Sequence, residues 1–468
     1  MAADAPATYH RGLSLLQGWL PITVQIVAAV VLVAAVGWRT RRWRLMWLPT
    51  AMLFGAAVAA WAHWYVESQG MAGDPAPDAL WAWTGLTGFA VGVAVLGWRG
   101  IRWRRAAAIA AVPLCLLSTA LALNTWVGYF PTVQLAWNQL TAGPLPDETD
   151  PDTVAAMQRA GTVPSHGSVI SVDIPSTASG FKHRTELVYL PPRWFASNPP
   201  PRLPVVMMIG GEFNTPADWL RTGNAAAIID DFAAAHGGNA PVFVFVDAGG
   251  SFNNDTECVN GVRGNAADHL TKDVVPYVDT TFGTSTASAD WGIVGWSMGG
   301  TCAVDLTVMH PELFGSFVDI AGDMGPNAGT HDQTVDRLFG GDTTAWAAFD
   351  PTTVISKHGP YQGVSGWFAI STDAPTQHRN AGGDGAIGLG GRDAAGNPGD
   401  QTQAANALCG LGRANGITCS VVPTTGRHDW PLATQVFTAA LPWLAGAVHT
   451  PDVPATPLPF AAAPLSPA

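Results

Sequence analysis

Trp291-Gly292-Ile293-Val294-Gly295-Trp296-Ser297-Met298-Gly299-Gly300 is the stretch that decides the fold. Its opening residues are an apolar run suited to a buried strand, and Thr301-Cys302-Ala303-Val304 continues it as an apolar helix. Between the two lies G-x-S-x-G. A serine on so sharp a strand-to-helix turn has a strained backbone and needs small neighbours, which Gly295 and Gly299 supply. The turn lifts the Ser297 hydroxyl above the sheet edge, with a helix N-terminus beneath it. In a chain with 52 glycines the pattern alone says little. Its place between strand and helix makes Ser297 a candidate nucleophile.

Outward from this turn the chain alternates short apolar runs with helical periods. Strands are expected at 169–174, 186–190, 203–209, 241–246, 291–294, 316–320, 366–371 and 418–422. Helices are expected at 225–235, 265–282, 298–310, 401–415 and 431–448, with a long variable stretch after 320. Such alternation points to an α/β fold, a mostly parallel sheet with helices on both faces. This region is expected to span 166–450. Residues 131–165, rich in Pro, Asp and Thr, read as a linker, and 451–468, with six Pro, as a disordered tail.

A nucleophilic serine needs a base, an acid and oxyanion donors. Gly426-Arg427-His428-Asp429-Trp430-Pro431 follows the last expected strand, which puts His428 at the C-terminal edge of the sheet as the base. His269 and His310 fall on helices, and His331, His358 and His378 in variable stretches. Asp373, just after the strand at 366–371, lies between nucleophile and base in chain order and is the expected acid. Asp393 is the alternative, and Asp384 and Asp400 share the same loop. The tetrahedral intermediate needs preorganised N–H donors. These are expected from the backbone of Met298 and, in the loop Gly210-Gly211-Glu212-Phe213, from Glu212 or Phe213. This chemistry calls for no cofactor, and no Cys/His pattern has zinc-ligand spacing, so no metal is expected.

The first 130 residues are of another kind. The whole chain is 48% hydrophobic and only 12% charged, with 20 Trp against six Tyr. Apolar stretches at about 14–37, 45–65, 80–98 and 106–129 each approach the ~20 residues that cross a bilayer core. Residues 1–130 contain nine Arg against Asp4, Glu67, Asp74 and Asp78, a balance of +5, which leaves −17 for the remainder. Such a chain is not a basic nucleic-acid binder. Arg39, Arg41, Arg42 and Arg44 follow the first stretch, and Arg99, Arg102, Arg104 and Arg105 precede the fourth. The loop between the second and third holds only acidic charges. The positive-inside rule then sets both Arg clusters in the cytoplasm and everything after residue 130 outside. The four outer cysteines, Cys258, Cys302, Cys409 and Cys419, admit three pairings there, or free thiols. Cys258–Cys302 with Cys409–Cys419 is the favoured pairing, and Cys115 lies within the fourth stretch.

Residues 165–448 resemble the putative-esterase family of α/β-hydrolases, which includes the mycobacterial antigen 85 mycolyltransferases. Gly295–Gly300 carries most of the resemblance. Asp273-Val274-Val275-Pro276-Tyr277-Val278, His310-Pro311-Glu312-Leu313-Phe314-Gly315 and the His428 loop are similar too. The resemblance implies an α/β-hydrolase fold and acyl-ester chemistry. In antigen 85-like enzymes the acid is a Glu, where this chain has Asp373. The loop Asp247-Ala248-Gly249-Gly250-Ser251-Phe252, with Asp255-Thr256-Glu257-Cys258 after it, departs from the antigen 85 pattern, so neither trehalose nor mycolate specificity is implied. The expectation is a multi-pass membrane protein with an extracytoplasmic serine ester hydrolase or acyltransferase, acting on acyl esters of envelope lipids or glycolipids. A catalytically silent envelope binding or assembly protein is the alternative, and a small transporter with an accessory domain a third reading. The intact Ser297/His428 pair argues against the second. The absence of charge deep inside any span argues against the third.

Overall fold

A computed structural model describes residues 13–37, 40–69, 76–98, 101–141, 145, 147–371, 401–426 and 428–460. The chain divides into two compact units after Thr141.

The first unit holds four helices long and apolar enough to cross a membrane: α1 (Trp19–Val36), α2 (Leu48–Gln69, entered through a π-turn at Trp43–Trp47), α3 (Asp78–Leu96) and α4 (Arg102–Val127). Val33, Leu53 and Val95 are among their most exposed residues. That suits helices whose outer faces meet lipid rather than water. Small residues let α2 and α3 approach closely. A Cβ on Gly55 would fall 2.5 Å from the Gly85 carbonyl oxygen, and one on Gly92 would fall 3.0 Å from Ala51 Cα. The Thr87 and Thr119 hydroxyls, 3.0 Å apart, join α3 to α4.

The second unit is built on an eight-stranded sheet: β1 (Ser168–Val172), β2 (Glu186–Leu190), β3 (Val205–Ile209), β4 (Val242–Val246), β5 (Trp291–Trp296), β6 (Ser316–Ile320), β7 (Ser365–Ser371) and β8 (Thr418–Thr424). Its order is β1-β2-β4-β3-β5-β6-β7-β8. Only the β1–β2 and β2–β4 pairs are antiparallel. Strands β3 to β6 are buried at every position, the reason β3 to β5 read as unbroken apolar runs, while β6 also buries Ser316 and Asp319. The pleat divides them between two cores. Val205, Met207, Ile209, Val242, Val244 and Val246 join the face that carries the helix Met298–Met309. Val206, Met208, Phe243 and Phe245 join the face that carries the final helix, Trp430–Ala447. Helices therefore cover both sides of a mainly parallel sheet, the α/β-hydrolase arrangement.

Three stretches differ from the sequence reading. Residues 131–165, read as a linker, contain the helices Val133–Leu140 and Pro151–Ala160. The second is capped by Asp150, whose carboxylate accepts the Thr153 N–H at 2.8 Å. The variable stretch after 320 contains the helices His331–Phe339, Thr343–Phe349 and Pro351–His358. Of the tail read as disordered, residues 451–460 pack on the second unit: Leu458 is buried, and the Asn239 amide donates to Asp452 at 3.1 Å. Residues 461–468 lie outside the described residues.

The four cysteines of the second unit are bonded as Cys258–Cys302 and Cys409–Cys419, and Cys115 is a buried free thiol.

Candidate active site

Ser297 follows β5 and caps the helix Met298–Met309 with φ 57° and ψ −119°. An L-residue rarely takes a positive φ, so the surroundings must impose it. They do so by close packing. A Cβ on Gly295 would lie 1.6 Å from the Gly299 carbonyl oxygen, and one on Gly299 would lie 2.4 Å from that of Ile209. Only glycine fits either place. The Ser297 N–H donates to the Ile320 carbonyl at 2.9 Å, which fixes the turn to the end of β6.

His428 arrives from the loop between β8 and the final helix. Asp429 caps that helix, accepting the Leu432 N–H at 3.3 Å, and Pro431 occupies its first turn. The imidazole Nε2 lies 2.9 Å from Ser297 Oγ. The sequence reading missed what holds the ring. Trp296 packs on it, centroids 4.3 Å apart, with Trp430 and Trp219 behind. Gln401 Nε2 lies 3.1 Å from His428 Nδ1 and donates to the Ala321 carbonyl at 2.9 Å.

The expected acid Asp373, its alternative Asp393, and Asp384 and Asp400 all lie outside the described residues. Ser371, the last residue of β7, donates its hydroxyl to the Gly426 carbonyl, so β7 ends beside the loop that carries His428.

The turn Gly211–Asn214 follows β3, the neighbour of β5. It is clipped twice: the Asn214 N–H donates to the Gly211 carbonyl at 3.0 Å, and Asn214 Oδ1 accepts the Gly211 N–H at 2.8 Å. A Cβ on Gly211 would stand 3.3 Å from Ser297 Cβ, so Glu212 and Phe213 ride on a turn pressed against the serine. Among the described residues the N–H groups of Met298 and Phe213 have no backbone acceptor. Met298 is in the first helical turn, where none is available within the helix. Phe213 also packs at a tilt against Phe252, centroids 5.4 Å apart, and Phe252 is exposed.

Buried acids surround this centre. Asp319, near the end of β6, has its carboxyl pKa pushed up to about 7 by burial. The Gly322 N–H, donating at 2.8 Å, opposes that shift. Burial also raises Asp255 to about 6 against the pull of Arg263, and it raises Glu257 well above the usual carboxylate range, helped by Asp255 and Asp323. The Cys258–Cys302 bond attaches this acidic loop to the helix that follows Ser297.

One group among the described residues brings possible metal-ligand atoms together: His183, Glu186 and His269, within 4.8 Å of one another. His183 Nδ1 lies 2.8 Å from the Arg184 carbonyl and Nε2 lies 2.8 Å from that of Ile174. Satisfying both carbonyls requires protons on both nitrogens, which leaves no lone pair for a metal. His183 is half-buried and faces Glu186 at 3.7 Å; against the cost of burial, the Arg184 carbonyl and Glu186 raise its pKa above the ordinary value, and the other Glu186 oxygen accepts from His269 at 3.0 Å.

The profile of the family described as "Putative esterase" matches residues 180–391. An uncharacterised protein of Corynebacterium glutamicum is 30% identical over 369 residues, 75% of this chain and 83% of its own length. Among solved structures, an S-formylglutathione hydrolase from Agrobacterium tumefaciens is 17% identical, covering 61% of this chain and 97% of its own, with TM-score 0.45. Mycobacterium tuberculosis MPT51 is 18% identical, covering 59% and 98%, with TM-score 0.39. The chain belongs to the putative-esterase family of α/β-hydrolases and is a carboxylic ester hydrolase of that family, preceded by four apolar helices.

Proposed function

We propose that this protein is a membrane-anchored serine hydrolase or acyltransferase that acts on the outer face through an acyl-enzyme. The observation that carries the reading is the 2.9 Å approach of His428 Nε2 to Ser297 Oγ. Ser297 attacks the acyl carbonyl while His428 takes its proton. Charge on the carbonyl oxygen is received by the Met298 N–H and one from Glu212 or Phe213. His428 then gives its proton to the leaving alcohol, and water or a second alcohol releases the acyl group by the reverse path. Asp373 is the proposed orienting acid, with Asp393 the alternative.

The extracytoplasmic side is supported by the Arg-rich loops and by two disulfides in the catalytic unit. Four apolar helices would hold the enzyme at a lipid surface, which favours acyl esters of envelope lipids or glycolipids as substrates. The experiment is fluorophosphonate labelling of the full chain in detergent. Wild type should be labelled, Ser297→Ala should not, and a peptide map should carry the adduct on Ser297. Equal labelling of the two proteins would end the proposal.

A further inference from the structure

The turn that presses on Ser297 is held from outside by a charge. Arg184 Nη2 donates to the Asn214 carbonyl at 2.8 Å, at the far end of the Gly211–Asn214 turn. The same guanidinium is fixed by Asp247, at the end of β4. Its Nε donates to Oδ2 at 3.0 Å and Nη2 to Oδ1 at 2.6 Å, while the Arg184 backbone N–H donates to Oδ2 at 2.6 Å. Asp247 is buried and is steadied in turn. It accepts the Gly249 and Gly250 N–H groups at 3.2 Å each, and its own N–H donates to Glu186 Oε1 at 3.1 Å. A continuous polar chain thus runs from Glu186 through Asp247, Arg184 and Asn214 to Gly211, which meets the nucleophile.

A bidentate Arg–carboxylate pair has a fixed planar geometry that a lysine cannot reproduce. The pair joins three loops that the sheet order brings together: the one before β2, the one after β4 and the one after β3. On the turn side its contact is a single carbonyl, that of the residue following Phe213.

We propose that Arg184, locked by Asp247, is a positioning residue for the oxyanion turn: it holds the Asn214 carbonyl and thereby the N–H donors of Glu212 and Phe213 against Ser297. This rests on the reading of Ser297 as nucleophile and of that turn as a source of oxyanion donors. A displaced donor weakens binding of the tetrahedral state more than binding of the ester itself. Losing one oxyanion donor outright costs about 10²–10³-fold in turnover, so a donor that is misplaced but present should cost about 10–100-fold.

The test compares wild type, Arg184→Met, Arg184→Lys and Ser297→Ala as full chains in detergent, using a short-chain p-nitrophenyl ester and a boronic acid that mimics the tetrahedral adduct. The expected result for Arg184→Met is a 10–100-fold fall in kcat with KM within about threefold, and a matching loss of boronic-acid affinity. Millimolar methylguanidinium should restore part of kcat, and Arg184→Lys should fall between the two. A folded Arg184→Met enzyme with kcat and boronic-acid affinity within threefold of wild type overturns the proposal. So does a loss of kcat with no loss of boronic-acid affinity. If Arg184→Met does not fold, Asp247→Asn keeps the side-chain shape and removes the charge that locks the guanidinium onto the turn. The same losses are expected there, and wild-type values would overturn the proposal. Turnover by Ser297→Ala at the wild-type rate would instead reject the underlying assignment of the nucleophile.

Discussion

Asp319→Asn should make the catalytic unit more stable, by an amount set by pH. Asp319 is 3% exposed, and its carboxyl lies so close to the elbow that a Cβ on Gly300 or Gly322 would stand 2.3 or 2.5 Å from its Oδ1. Burial raises its pKa from the ordinary 3.8 to about 7. Below pH ~4 the carboxyl is neutral in both the folded and the unfolded chain, and it has no effect on the balance. Between pH ~4 and ~7 the unfolded chain releases the proton while the folded chain keeps it, so stability falls as pH rises. A shift of roughly three units at 1.36 kcal/mol each amounts to about 4 kcal/mol, fully lost above pH ~7. An amide of the same shape still accepts the Gly322 N–H and never ionises. The difference between variant and wild type should therefore be near zero at pH 4, grow steadily, and level off at about 4 kcal/mol by pH 8. Pulse proteolysis in urea across pH 4–8.5, scored on fragments from residues after 142, measures it. Taking the difference cancels the other buried acids. A difference that does not change with pH would refute the reasoning.

Gly299→Ala should abolish both folding yield and fluorophosphonate labelling, because its Cβ would meet the Ile209 and Gly210 carbonyl oxygens at 2.4 and 2.6 Å. Asp373→Asn should lower turnover on the order of 10⁴-fold with Asp393→Asn as the matched control. A loss at Asp393 alone would reassign the acid, and wild-type rates in both would pass the role to Asp384 or Asp400. Opening the Cys258–Cys302 bridge by a double serine replacement should cost about 2–5 kcal/mol in the same proteolysis assay. Non-reducing mass mapping of the wild type should meanwhile leave only Cys115 alkylatable. Protease added to spheroplasts should remove the residues after 142, and their protection would reverse the orientation.

The central strands were legible because each is buried on both faces, so that local apolarity and tertiary position agree. The elbow was legible because Gly295 is dictated by backbone contact only four residues on, at Gly299, even though Gly299 itself is dictated by the distant Ile209 and Gly210 carbonyls. The three helices after residue 330 were missed although their caps are written in the sequence: Thr330 with Gln333, Asp342, and Asp350 before Pro351. Each is under ten residues long, too short for a helical period to stand out. At the site, Ser297 and His428 have local signatures of strand, turn and helix start. Trp296, Gln401 and Arg184 have none. Their roles depend on which loops the strand order sets side by side, and Arg184 reaches Asp247 across 63 positions of chain. The expected acid has the weakest signature of all, a single Asp after a strand with several other Asp residues following in sequence.

The bridge between Cys258 and Cys302 has a bearing on how substrate gains entry. Cys302 belongs to the helix whose first turn follows Ser297, so Cys258 is covalently tied to the support of that serine. Any movement of Cys258 would have to drag the helix with it. Under the proposed function, selectivity beside Cys258 would then change by replacing residues and not by moving the backbone there.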